Sequence, residues 1–189
     1  MNLIYDDFPE TVCIDGKEYE VITDFREWVR FADTAAADEL TEEEKLCIFM
    51  LYFTKEKPKD FSKALKALID FYGCADVPKA GRKIGGKSSF SAPVFSYTYD
   101  AGYVIAAFRQ VYGIDLKSID YMHWYEFRYL FEAIPDNTAI KERIAYRAVN
   151  LSSVKDSRER SRIRKIQNVI ALPSNIKDSD IGEIFGGLM

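Results

Sequence analysis

Residues that often carry metal or redox chemistry are scarce in this chain. It has three cysteines among 189 residues, Cys13, Cys47 and Cys74, which are widely spaced and have no second Cys or nearby His to complete a metal spacing. Neither a disulfide framework nor a zinc site is therefore predicted, and we expect reduced, mostly buried thiols. His123 is the only histidine. No nucleophile or carboxylate is spaced with it as a triad or dyad requires, so no catalytic residue, metal ligand or cofactor is predicted.

A basic excess and a long apolar run are also missing. The formal net charge is -4, whereas a dedicated nucleic-acid protein usually carries a basic surplus to neutralise phosphates. The longest fully apolar run, Leu46 to Phe53, is far shorter than the roughly 20 residues of a bilayer crossing. The N-terminal stretch MNLIYDDFPE has no basic or apolar signal region. These features predict a soluble protein that is not exported.

Aromatic side chains and helical periodicity are abundant instead. Aromatic residues make up 14% of the chain, and apolar residues recur at spacings of three and four after most capping signals. Two short runs, Thr11 to Ile14 and Glu18 to Ile22, flank an Asp-Gly turn and predict a β-hairpin. The predicted helix caps are Asp24, Thr41 with Glu44, Asp60, Asp100, Asn137, and Asp156 with Glu159.

These patterns predict a mainly α fold: a single domain over residues 1–173, with about six or seven helices and a small N-terminal hairpin. We expect a mobile basic loop at 74–93 and a flexible tail at 174–189. The run LCIFMLYF is apolar on all sides, so its helix should lie inside the protein. The helix before Pro135 carries more rings than one core-facing stripe can use, namely Tyr121, Trp124, Tyr125, Phe127, Tyr129 and Phe131.

Residues 81–88, GRKIGGKS, match the spelling of a phosphate-binding P-loop. A P-loop needs a strand that delivers its glycines and a helix that begins at the Lys-Ser pair, so that backbone N–H groups converge on phosphate. Here the end of a predicted helix precedes Gly81, and the SFSAP stretch that follows does not predict a helix at the required place. Nucleotide binding through Lys87 and Ser88 is an alternative hypothesis, which this sequence context does not favour.

A second alternative is nucleic-acid binding through the Arg-rich helix at 156–166. The run contains Arg158, Arg160, Arg162, Arg164 and Lys165. Interleaved acidic residues and the absence of rings within it favour a solvated face or a protein contact instead.

The stretch from Phe95 to Pro135 resembles a family encoded in the tail-gene modules of siphophages and prophages, the bacteriophage gene-product-fifteen proteins. The resemblance rests on Asp100 with the Ile-Ala-Ala-Phe core at 105–108, on Tyr-Gly-Ile-Asp-Leu at 112–116, and on the MHWY block at 122–125. Weaker similarity covers most of the chain except the tail and includes the pair Tyr146-Arg147. Tyr125 stands where a second Trp is expected, and Gly102 replaces a more usual acidic or apolar residue.

The resemblance implies a non-enzymatic tail assembly chaperone that binds the tape measure protein, other tail assembly proteins and itself during siphophage tail morphogenesis. It implies no cofactor and no catalytic residues. The MHWY block and the surplus rings suggest His123, Trp124, Tyr125, Arg128 and Tyr129 as partner-binding residues. We expect such a protein in the host bacterial cytoplasm and not in the mature virion, without membrane or nucleic-acid partners.

Overall fold

The structure, a computed structural model, describes residues 2–77 and 94–173. The chain divides into two compact units. The described part of the first unit comprises residues 2–77 and 120–128, and that of the second comprises residues 94–119 and 129–173. The prediction of one domain over 1–173 stays a prediction. The tail at 174–189 and most of the basic loop at 74–93 lie outside the described residues.

The first unit begins with the predicted hairpin. Strands β1 (Thr11–Ile14) and β2 (Lys17–Glu20) pair antiparallel, with Thr11 opposite Glu20 and Ile14 opposite Lys17. Both turn residues have positive φ, 52° at Asp15 and 79° at Gly16, which matches the right-handed twist of the strands they join. Val12 and Ile14 are buried, so one face of the hairpin contributes to the core.

Three helices follow in this unit: α1 (Phe25–Ala36), α2 (Glu42–Phe49) and α3 (Phe61–Tyr72). Their predicted caps are confirmed, since the side chains of Asp24, Thr41 and Asp60 each accept a backbone N–H of the first turn. Glu44 completes the capping box of α2. Phe61, the first residue of α3, is exposed.

The run LCIFMLYF does not form one buried helix. α2 ends at Phe49, a 3-10 turn covers Met50–Tyr52, and Leu51 is exposed. The reason is that the chain turns to pair with the hairpin: Ile22 N donates to Tyr52 O and Thr54 N donates to Glu20 O. Sheet-type hydrogen bonds thus replace helical ones.

The expectation of mostly buried thiols is also wrong, because Cys13 and Cys47 are exposed and only Cys74 is buried.

The core of the first unit is built from stacked rings. Trp28 of α1 lies fully buried, with its ring centroid 4.8 Å from that of Phe71 and 6.3 Å from that of Trp124. Trp124 begins helix α5 (Trp124–Glu132), and the boundary between the two units falls within this helix. Aromatic pairs at these separations add to the free energy gained by burying their area.

The second unit contains α4 (Tyr97–Tyr112), the end of α5, α6 (Ala139–Ala148) and α7 (Ser157–Ile170). The cap of α7 at Asp156 is confirmed, and α4 ends at Gly113, which has φ 70°. Two predicted caps are wrong. α4 is capped by Ser96, not Asp100, and Thr138, not Asn137, occupies the cap position of α6.

The predicted fold class is confirmed, since the described residues form seven α-helices and a two-stranded hairpin. None of these helices combines the length and apolarity that a membrane crossing requires.

Candidate partner-binding site

Three of the five predicted partner-binding residues are buried in the first unit. His123, Trp124 and Tyr125 are buried, and Trp124 Nε1 donates to Tyr72 O at 2.9 Å. The Trp124 ring also stacks on that of Tyr72, with centroids 5.0 Å apart. These contacts fix the start of α5 against α3, so the side chains stabilise the unit. Their role in partner binding stays a prediction.

His123 is held by two hydrogen bonds that define its tautomer. Nδ1 accepts the backbone N–H of Tyr125 at 3.0 Å, and Nε2 lies 3.1 Å from Pro9 O, so Nε2 carries the proton. The ring stacks on Phe8 with centroids 4.9 Å apart. Burial lowers the pKa of His123, against a smaller opposing effect of the Pro9 carbonyl and of Glu10. The imidazole is therefore a neutral connector between the N-terminal segment and α5.

Arg128 and Tyr129 are the half-buried members of the predicted set. The Arg128 guanidinium lies over the rings of Trp124 and Tyr72, 5.4 Å and 5.6 Å from their centroids. Such cation–π contacts hold the charge at the edge of the aromatic core. Tyr129 belongs to the second unit. The structure thus divides the five residues between the two units.

A buried ion cluster in the second unit was not predicted. Asp100 is fully buried and accepts two hydrogen bonds from Arg147, at 2.6 Å to Oδ2 and 3.0 Å to Oδ1. Arg143 Nε lies 3.4 Å from Oδ1, and the backbone N–H of Ser96 donates to Oδ2. Sequence patterns treat an Asp before a helical stretch as a cap, and no periodicity links it to an Arg 47 positions away.

Arg147 connects more than α4 and α6. Its Nε donates to Ile170 O at 2.7 Å, and its Nη1 also donates to Val94 O at 3.0 Å. One guanidinium therefore joins α4, the end of α7 and the chain segment before α4. Because the carboxylate and the guanidinium are satisfied by each other and by backbone groups, the cluster is structural.

Two tyrosines on α4 are exposed one helical turn apart. Tyr99 is 54% exposed and Tyr103 38% exposed. The Arg143 guanidinium lies 4.2 Å from the centroid of the Tyr103 ring. We call Tyr99 and Tyr103 the α4 tyrosine face. Rigid rings beside a cation are typical of protein-binding surfaces, since they offer a large apolar area with little conformational entropy to lose.

The basic residues of α7 are partly engaged within the protein. Arg160 donates to Val154 O from Nε at 2.9 Å, and Arg162 pairs with Glu159 at 2.8 Å. Nucleic-acid binding by this helix stays a hypothesis, and these contacts do not favour it. The P-loop-like stretch 81–88 lies outside the described residues.

Comparison with known families decides the relationship. The family model described as bacteriophage Gp15 protein matches residues 4–172. The chain belongs to the bacteriophage Gp15 family. The suspected relationship is thereby confirmed, and the match shows a phage protein. No match was found among curated proteins or among solved structures.

Proposed function

We propose that this Gp15 family protein is a non-enzymatic tail assembly chaperone that binds the tape measure protein during siphophage tail morphogenesis. The observation that carries the proposal is the family match over residues 4–172. The chaperone would cover the apolar stripes of the long helical tape measure protein until tail tube subunits polymerise around it. Its partners include other tail assembly proteins and a second copy of itself, and it requires no cofactor.

The α4 tyrosine face supports the proposal in physical terms. An amphipathic helix binds through apolar side chains spaced at three and four residues, and Tyr99 and Tyr103 present rings at that spacing. Arg143, next to Tyr103, adds a charge that can pair with acidic residues flanking such a stripe. A face of two rings is small, which suits weak contacts that the growing tail tube can displace.

Co-expression with the tape measure protein encoded in the same genome tests the function. We expect the tape measure protein to become soluble and to co-purify with a tagged copy of this chain. Absence of co-purification, with the tape measure protein equally insoluble with and without this chain, would contradict the chaperone proposal.

The double variant Tyr99→Ala and Tyr103→Ala tests the surface. Recovery of the tape measure protein should fall about tenfold, since loss of two partly exposed rings removes on the order of 1–2 kcal/mol of binding free energy. Tyr5→Ala is a matched control, because Tyr5 is 77% exposed and lies in the first unit. Equal recovery with the double variant and the control would reject the face but not the function.

A further inference from the structure

The outer edge of β1 presents backbone groups that no described residue binds. Val21 N donates to Glu10 O at 3.0 Å, so positions 10 and 21 form a hydrogen-bonded pair of the antiparallel register. Such pairs alternate with pairs whose N–H and C=O groups point away from the partner strand. Thr11 and Cys13 occupy the alternate positions. Their backbone groups therefore point away from β2.

The outer edge of β2 differs because the chain itself covers it. Ile22 N donates to Tyr52 O at 2.9 Å, and Thr54 N donates to Glu20 O at 3.1 Å. These bonds use residues 20 and 22, the positions that the same alternation directs outward. The hairpin thus has one edge covered by the segment Tyr52–Thr54 and one edge, β1, that the described parts of the chain leave open.

A groove of about 440 Å³ lies along β1, with α3 as its other wall. Thr11 to Ile14 line one side, and Lys63, Lys66 and Ala67 lie on the other. An extended segment placed there would add a third strand at the open edge, where main-chain hydrogen bonds supply affinity.

The groove carries excess negative charge. Its lining includes four carboxylates and two lysines. Lys63 pairs with Asp15 at 2.6 Å, and Lys66 pairs with Asp70 at 2.7 Å. The remaining carboxylates bond only to hydroxyls among the described side chains: Glu18 accepts from Thr11 Oγ1 at 3.2 Å, and Asp76 accepts from the Tyr125 hydroxyl at 3.4 Å. An occupant with basic side chains would neutralise them.

We propose that the β1–α3 groove binds an extended, basic segment of a partner protein by strand addition. The backbone of the segment pairs with Thr11 and Cys13, and its Lys or Arg side chains reach Glu18 and Asp76. This goes beyond the proposed function, in which the tape measure protein binds as a helix. A second copy of the chain fits less well, because it would bring a second acidic groove to the same edge.

A capped seven-residue peptide of alternating valine and lysine is the probe. Amide hydrogen exchange followed by NMR should show slower exchange at Thr11 and Cys13 when the peptide is added. The amides of Val12 and Ile14, which face β2, serve as internal references. The same peptide with backbone N-methyl groups on its pairing edge keeps the charge but cannot form a strand, so it should give no protection. A valine–glutamate peptide should bind at least tenfold more weakly.

Two variants separate the backbone and charge contributions. Cys13→Pro removes the outward N–H and should abolish protection at Thr11, while proline at an edge position leaves the bonds to β2 intact. Glu18→Gln with Asp76→Asn should weaken binding of the valine–lysine peptide about tenfold without changing the hairpin bonds. Both variants should retain capture of the tape measure protein, so this proposal and the chaperone proposal fail independently.

Three outcomes would overturn the proposal. The first is unchanged exchange at Thr11 and Cys13 at millimolar valine–lysine peptide. The second is equal binding of the N-methylated peptide, which would indicate charge attraction alone. The third is protection of both amides without peptide, increasing with protein concentration in step with dimer formation in ultracentrifugation, which would assign the edge to a second copy.

Discussion

The buried carboxylate of Asp100 depends on the guanidinium of Arg147. An ion pair out of water is maintained only while both partners are present, because removal of one leaves an uncompensated charge. We predict that Arg147→Met lowers the free energy of unfolding by roughly 3–5 kcal/mol, measured by urea denaturation. Arg162→Met, which removes an exposed pair with Glu159, is the matched control and should have little effect. Similar midpoints for the two variants would contradict a structural role for the cluster.

The lowered pKa of His123 sets the direction in which the free energy of unfolding changes with pH. The pKa of His123 is lower in the folded protein than its ordinary value of 6.5. The unfolded chain therefore binds more protons below about pH 6.5, so stability is present above that pH and is lost as the pH falls toward the folded-state pKa. Protonation would also place a second N–H at Nδ1, facing the Tyr125 N–H.

We predict that the free energy of unfolding decreases between pH 7 and pH 5 by more in the wild type than in His123→Gln, whose amide does not titrate. Urea titrations at several pH values measure the difference. Parallel profiles for the two proteins would show that His123 does not contribute to the acid sensitivity.

At the scale of the element, one glycine lies within α4 and another ends it, and the two have opposite roles. Gly102 lies within the helix with open space where a Cβ would be, so Gly102→Ala should stabilise the protein by about 0.5–1 kcal/mol. Gly113 ends the helix at φ 70° and also has open space around it. Gly113→Ala should therefore destabilise by about 1 kcal/mol through backbone strain alone. Thermal unfolding midpoints that move in the same direction would contradict this assignment.

The helix caps show which structural features can be predicted from neighbouring residues alone. The caps at Asp24, Thr41, Asp60 and Asp156 were predicted correctly because each acts on a backbone N–H no more than three residues away. Asp100 has the same sequence signature, but its partner is Arg147 on another helix. The early end of α2 likewise depends on the hairpin edge that residues 52–54 cover. Pairings between distant segments are not encoded in a periodic pattern.

At the scale of the whole molecule, three of the six rings predicted before Pro135 are buried by elements that are distant in the sequence. Counting rings on one helix gives the number of faces they occupy, but not how many neighbouring elements pack on them. Trp124, Tyr125 and Phe127 are all buried, because α1 and α3 bring Trp28, Phe71 and Tyr72 against them. Tyr121, predicted in the same helix, instead precedes α5 and is 55% exposed, and Tyr99 and Tyr103 on α4 are exposed as well. A single sequence predicts the class of fold and the family, but not this surface.

At the same scale, a chaperone should leave the particle once assembly is complete. We predict that this protein is abundant in lysates of cells that produce the phage and absent from purified tails, while the tape measure protein is present in both. Quantitative mass spectrometry of the two fractions measures this. A constant number of copies per purified tail would instead indicate a structural component and would contradict the proposed role.

Arg147 also has a mechanical consequence. Val94 O and Ile170 O both bind its guanidinium, so the first described residue of the second unit and the last residue of α7 share one side chain. A force that pulls residues 94 and 170 apart would load these two hydrogen bonds. The hydrogen bonds of Arg147 therefore lie on a path by which tension passes between residues 94 and 170.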